Sequence, residues 1–138
     1  MDAEAAMREL LHATGASRVT LRVDTRGEGF PVRAEALAPG VRSIRDATEI
    51  DLRRAKTFQF LERERRLVVQ SDCLVAEPVV PPELIELYGV RAQMLAPLVR
   101  DGRLVGIVSV HHAGTPREWT DEEVAALEAT AARVLENL

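Results

Sequence analysis

Two apolar runs, RAQMLAPLVR (91–100) and RLVGIVSVHH (103–112), flank Asp101-Gly102. Asp-Gly between such runs predicts a β-hairpin, because a type I′ turn needs positive φ at both central residues. With a two-residue loop, Leu98 lies opposite Val105, Ala96 opposite Ile107, Met94 opposite Ser109 and Ala92 opposite His111. The other face pairs Val99 with Leu104, Pro97 with Gly106, Leu95 with Val108 and Gln93 with Val110. Both faces are largely apolar, so the hairpin is expected at the centre of a sheet covered on both sides.

The remaining pattern places elements around it. Ala3, Ala6, Met7, Leu10 and Leu11 recur at helical spacing over 3–14, with Asp2 as N-cap and Gly15 at the helix end. Val19, Leu21 and Val23 alternate with Thr20 and Arg22, which predicts a half-buried strand. A turn at 25–29 leads to a second strand, where Val32, Ala34 and Ala36 alternate with Arg33 and Glu35. Pro31 and the charged outward residues suit a sheet edge. No period is visible over 38–50. A helix is expected over 51–66, a short strand at 67–72, a loop at 73–81, and a short helix opened by Pro82 and ended by Gly89. Thr120 with Glu123 forms a capping-box signature, and Trp119 with Val124 a hydrophobic staple. The final helix then presents Val124, Leu127, Ala131, Val134, Leu135 and Leu138 on one face.

Strands in antiparallel pairs with segregated helices indicate an α+β fold, one domain over 1–138. A central antiparallel sheet of five to six strands is expected. The alanine-rich N- and C-terminal helices, with their small side chains, are expected to pack side by side on the Pro97/Gly106 face. The shorter middle helices and loops would cover the opposite face.

Composition narrows the function. The chain has 138 residues, 46% hydrophobic and 29% charged, with net charge −4. It has no basic tail, so binding to nucleic acid gains no electrostatic support. A single cysteine, Cys73, excludes an intrachain disulfide or a CxxC pair. No apolar run approaches ~20 residues and no signal peptide opens the chain, so no membrane role and a cytoplasmic location are expected. The arginine bias, with Lys56 the one lysine, suggests a bacterial, GC-rich source.

The stretch APLVRDGRLVGIVSVHH, followed by TPREWTDEEVAALEATA, resembles the C-terminal half of a GAF domain, and the upstream element order extends the likeness over nearly the whole chain. The resemblance implies a fold similar to PAS domains and small-molecule sensing. Ligand classes in that family include cyclic nucleotides, tetrapyrroles, amino acids, haem and aromatic acids. It implies no particular ligand, and the motif is expected to stand without an attached output domain.

On the expected architecture a ligand pocket is lined by Met94, Ser109 and His111. Phe58 and Phe60 from the middle helix, Ser71, Asp72 and Cys73 near a strand end, and Tyr88 and Arg91 before the hairpin close it. A mostly apolar cavity with a few convergent polar groups is the usual form of a small-ligand site. Plain core packing is the competing reading, and the commoner one, for Phe58 and Met94. Arg91 suits a ligand carboxylate or phosphate in fork geometry, or alternatively a pairing with Asp72 or Glu86. Alternation sends His111 and His112 to opposite faces, so they cannot share a metal ion, and no metal is expected. Cys73 reads as a small half-buried hydrophobe, since no adjacent cation lowers its pKa. Bilin attachment in some relatives involves a Cys-His neighbour pair, and here Leu74 follows. Free methionine sulfoxide reductases of the same family use several cysteines, so that enzymatic reading ranks third. The favoured expectation is a non-catalytic sensory module that binds a small molecule and signals to a partner. A ligand-free dimerisation or adaptor protein, pairing through its terminal helices as a homodimer, is the alternative.

Overall fold

The computed structural model describes residues 2–138. The element order is α1 (Ala3–Thr14), β1 (Arg18–Val23), β2 (Val32–Leu37), a one-turn 3-10 helix (Leu52–Arg54), α2 (Lys56–Glu64), β3 (Val68–Gln70), α3 (Pro82–Tyr88), β4 (Val90–Arg100), β5 (Arg103–Ala113) and α4 (Asp121–Glu136). The five strands form one antiparallel sheet in the order β2-β1-β5-β4-β3. The β4–β5 hairpin therefore lies inside the sheet, and β2 is an edge, as the sequence pattern predicts. The expected helix over 51–66 is broken. Asp51 caps the 3-10 turn by accepting from the Arg53 amide, Ala55 is extended, and α2 starts after it with no side-chain cap.

Both ends of the chain pack on one sheet face. Met7 and Leu10 of α1 and Leu127 and Val134 of α4 are buried against Val19, Leu21, Met94, Val108 and Val110. Each such fully buried side chain contributes about 1.5–3 kcal/mol by its removal from water. The start of α4 carries the expected capping box: Thr120 Oγ1 accepts from the Glu123 amide at 3.1 Å, and Glu123 Oε1 accepts from the Thr120 amide at 2.9 Å. Trp119 packs at the edge of the same core and donates from Nε1 to the Gln70 carbonyl at 3.1 Å, tying α4 to the far edge strand.

The hairpin turn has the expected positive φ at Asp101 (53°) and Gly102 (74°), yet the strand register departs from the two-residue-loop expectation. Val99 does face Leu104. Beyond it the pairing shifts by one: Leu98 faces Gly106, Ala96 faces Val108, Leu95 faces Ser109, Met94 faces Val110 and Gln93 faces His111. Val105 is the extra residue of a β-bulge, and its carbonyl accepts from the Asp24 amide instead. The physical cause is close approach at Gly106. A Cβ there would stand 2.8 Å from the Arg22 carbonyl oxygen and 2.8 Å from Leu98 Cδ1, so β1, β5 and β4 converge at a point only glycine fits. The shift exchanges the faces of β4. Met94, Ala96 and Leu98 lie under the terminal helices, and Gln93, Leu95 and Pro97 face the middle segments. On β5, residues 107–111 keep the expected faces, whereas Leu104 packs with the middle segments and Val105 with the terminal-helix core, the reverse of the expectation.

Candidate functional site

The sheet face away from α1 and α4 is roofed by the 44–52 segment, α2 and the start of α3, and a small cavity of about 40 Å³ remains beneath them. Its walls are apolar, with Ile44, Leu52, Phe58 and Leu84 above and Leu95 and Ile107 below. Phe58 is held by an edge-to-face contact with Phe30, centroids 5.1 Å apart. Polar groups enter from the floor: Arg22 of β1, Ser109 and His111 of β5, and Gln93 of β4. Strand alternation explains the set. Arg22 lies opposite Ile107, Thr20 opposite Ser109, Arg18 opposite His111, and His111 opposite Gln93.

Their hydrogen bonds define what each can offer. Arg18 is 1% exposed and donates to the Arg42 carbonyl and, from Nη1, to His111 Nδ1 at 3.1 Å. A guanidinium only donates, so Nδ1 accepts and the imidazole proton resides on Nε2. Burial, and after it the charges of Arg18 and Arg22, push the His111 pKa down to about 3. The ring is therefore a fixed neutral donor at physiological pH. Gln70 Nε2 donates to the Pro78 carbonyl at 2.8 Å, and Gln93 Nε2 donates to Gln70 Oε1 at 2.8 Å. This chain fixes the Gln93 amide and leaves its buried Oε1 without a partner. The Thr20 hydroxyl is likewise buried and unpartnered.

Arg22 donates from Nη1 to the Phe30 carbonyl at 2.8 Å. Among the ion pairs of the described residues, neither Arg18 nor Arg22 takes part. Burial lowers the pKa of both guanidinium groups, and Glu35 opposes this from a distance. Glu35 is itself engaged, accepting from the Ile44 amide at 3.0 Å and from the Ser43 hydroxyl, which holds the roof segment to the sheet. Beside the cavity, Tyr88 stands between the guanidinium groups of Arg42 (4.5 Å) and Arg18 (5.5 Å) and donates to Glu49 Oε2 at 3.2 Å.

Three of the ten sequence-predicted residues, Phe58, Ser109 and His111, line this cavity. Met94 is fully buried beneath α1 and α4, a correction that follows from the bulge. Phe60 lies at the outer edge of α2 under Arg66, whose guanidinium is 5.0 Å from the ring centroid. Arg91 takes the alternative pairing, 3.6 Å from Asp72, and Asp72 also accepts from the Leu74 amide in a local turn. The Ser71 carbonyl accepts from the Arg117 amide. Tyr88 and Cys73 belong to a neighbouring cluster with Ile44, Val80, Leu84 and Val90. Arg22, Gln93 and Leu95 line the cavity without having been anticipated. For Arg22 a signal existed, since a charge alternating within a strand beside a central hairpin has a covered face to point at.

Cys73 is 4% exposed, and burial together with Asp72 raises its pKa to about 11, against a smaller lowering by Arg91. The thiol is accordingly inert. At pH 7.5 its alkylation by iodoacetamide is expected to be on the order of a hundredfold slower in the folded protein than in the urea-unfolded chain. Equal rates in a mass-spectrometric time course would contradict this burial. Among the described residues there is no group of three or more His, Cys, Asp or Glu side chains placed to hold a metal ion, and no helix is long and apolar enough to cross a membrane.

Comparison with known proteins gives three kinds of likeness. The family model described as GAF domain matches residues 3–136. A curated relative, the circadian input-output histidine kinase CikA of Synechocystis sp. (strain ATCC 27184 / PCC 6803 / Kazusa), is 40% identical over 53 residues, which are 38% of this chain and 6% of the kinase. Among solved structures, GAF3 from Slr1393 of Synechocystis sp. PCC6803 in its photoproduct state superposes with a TM-score of 0.81 at 17% identity, covering 96% of this chain and 88% of that one. The cyanobacteriochrome receptor PixJ superposes at 0.78 with 25% identity, covering 96% and 91%. The far-red absorbing dark state of JSC1_58120g3 with bound biliverdin IXa superposes at 0.74 with 18% identity, covering 94% and 83%. At such identities the structural likenesses establish the fold.

Proposed function

The chain belongs to the GAF domain family, and from that premise we propose that it is a non-catalytic sensory module holding a small molecule between the sheet and the middle segments. One observation carries the reading: an apolar cavity whose floor presents a cation without an acid partner and a buried acceptor without a donor. Unpaired buried polar groups cost about 1–3 kcal/mol each, a cost that a ligand supplying the missing partners removes. Kinship to a segment of a histidine kinase and to light-sensing domains agrees with a role in signal transduction. The thiol of Cys73, held protonated, argues against a reductase.

Alternation supplies a route for the signal. Gln93 and Ser109 face the cavity, while Met94, Val108 and Val110 on the same strands bear against α1 and α4. Ligand contacts that shift β4 or β5 therefore alter the seat of the terminal helices, where a partner or a second copy would read the change. A tetrapyrrole does not suit the cavity as it stands: drug-sized ligands occupy about 300–1,000 Å³, well above the 40 Å³ here.

The test is a thermal-shift screen of a broad metabolite set against the wild type and Ser109→Val, which extends methyl groups into the cavity. Compounds that raise the wild-type Tm are expected to lose that effect in the variant. If nothing in the set raises the wild-type Tm, or every hit acts equally on both proteins, the sensory reading is wrong. The ligand-free adaptor reading makes the opposite demand, a stable homodimer by light scattering whose mass no metabolite changes. Among the described residues, the large exposed apolar side chains are Leu37, Val69, Leu74, Val75, Val79, Leu87 and Leu138, none of them on α1 or α4. The terminal helices thus present no large apolar stripe to such a dimer.

A further inference from the structure

We propose that the ligand is a short-chain 2-hydroxycarboxylate of two or three carbons, its carboxylate held by Arg22 with the Ser109 and His111 donors and its hydroxyl donating to Gln93 Oε1. This inference rests on the sensory reading above and deepens it to a chemical class. Size is the first constraint. A cavity of about 40 Å³ compares with the roughly 10–15 Å³ that one water requires, so its occupant has few heavy atoms.

Charge is the second constraint. None of the cavity-lining side chains is acidic, and Arg22 is among them. Arg18 lies directly behind His111 and adds a second positive charge. An anion is favoured there, and the ammonium of an amino acid is not, because it would meet two guanidinium groups and no carboxylate. Donor–acceptor pattern is the third. The His111 Nε2–H, the Ser109 hydroxyl and Arg22 all donate, which suits carboxylate oxygens. Gln93 Oε1 only accepts, and its orientation is fixed through Gln70 to the Pro78 carbonyl, so the amide cannot turn over without breaking both bonds. A bare carboxylate would leave that oxygen unpaired or repelled. An adjacent hydroxyl supplies the proton.

The placement is consistent along the sheet. Gln93 is directly across from His111, Ser109 is the next residue of β5 on that face, and Arg22 lies beyond it opposite Ile107. Directly opposite side chains have Cβ atoms about 4.5–5.5 Å apart, close enough for one small ligand to meet polar groups from both strands.

Calorimetric titration of the wild type with glycolate, L-lactate and D-lactate tests the class. Propionate lacks the hydroxyl, lactamide the charge, and alanine carries an ammonium group in place of the hydroxyl. At least one hydroxy acid is expected to bind in the millimolar range or tighter, with propionate, lactamide and alanine each weaker by about tenfold or more. In Gln93→Leu the advantage of glycolate over propionate is expected to vanish while propionate binding persists. In Arg22→Gln every carboxylate is expected to weaken by about tenfold or more. The ligand comparison on the wild type stands even if a variant fails to fold. Equal affinity for glycolate and propionate, or no heat with any hydroxy acid at millimolar concentration, overturns the proposal. A metabolite outside this class that binds, and that Ser109→Val blocks, overturns the ligand class alone and leaves the sensory reading in place.

Discussion

Gly106→Ala is expected to lower the stability of the folded protein by about 2–3 kcal/mol, the upper part of the range for an added methyl in a packed core. That loss corresponds to a fall in Tm of about 10 °C in a domain of this size. The mechanism is contact, not torsion. Glycine 106 has no positive φ among the backbone angles, and the added Cβ would meet the Arg22 carbonyl oxygen and Leu98 Cδ1, both at 2.8 Å. Leu98 can move its terminal methyl, whereas the Arg22 carbonyl belongs to the β1–β5 ladder and cannot retreat without displacing the strand. Leu98→Ala alone is expected to cost about 2–4 kcal/mol for its buried side chain. In the double variant the two losses should sum to less than their total, because half of the clash is gone. Urea titrations of the four proteins measure the cycle. A Gly106→Ala protein within about 0.5 kcal/mol of wild type would show that the strands do not converge there.

The same glycine marks where the sequence was legible and where it was not. The α4 start was readable because Thr120, Glu123, Trp119 and Val124 act within six residues, and local chemistry settles a helix N-terminus. The Asp101-Gly102 turn was readable for the same reason. The β-bulge at Val105 was not, because it arises from the approach of β1, a strand more than 80 residues earlier in the chain. Hydrophobic alternation gave no warning: Met94 and Leu95 are both apolar, and either could face either layer. A one-residue slip moves every later side chain to the opposite face, which is why Met94 left the expected site and Gln93 entered it. Gly106 within an apolar strand was the available sign, since an isolated glycine there marks a bulge or a close backbone approach.

The site was legible in outline for similar reasons. Ser109 and His111 precede no further irregularity on β5 and kept their face. Phe58 followed from the helical period of α2. Close in sequence to the expected pocket, Asp72 instead pairs with Arg91 and accepts from the Leu74 amide, Ser71 engages Arg117 through its backbone carbonyl, and Arg91 Nε stays buried without a partner. Part of the roof, Ile44 and Ile50, comes from 38–50, where no period exists to read, and its attachment to the sheet through Glu35 is a tertiary fact. Arg22 was read as the polar side of a half-buried strand, which is correct for alternation and silent about what covers that side.

The buried His111 is expected to make the protein steeply sensitive to acid. Its folded-state pKa of about 3 lies below the value near 6.5 of an unfolded histidine. The unfolded chain therefore takes up the proton first as pH falls, and protonation favours unfolding. The contribution is fully present above pH 6.5, declines by about 1.4 kcal/mol for each pH unit below it, and totals roughly 4–5 kcal/mol by pH 3. Carboxylates titrate over the lower part of this window, so the informative quantity is the difference between wild type and His111→Gln. Glutamine can still accept from Arg18 and donate into the cavity, but it has no proton to gain. At pH 4.5 the wild type is expected to have lost about 2–3 kcal/mol more than the variant, each relative to its own stability at pH 7.5. Urea denaturation at the two pH values measures this difference. Parallel acid limbs would mean that the imidazole can charge in place, and then the hydrogen bond from Arg18 to Nδ1 would not survive as described. A carboxylate bound beside His111 adds a further signature. It raises the folded-state pKa by supplying the counter-charge that the site lacks, so the acid limb should become shallower in saturating glycolate for the wild type and remain unchanged for Arg22→Gln.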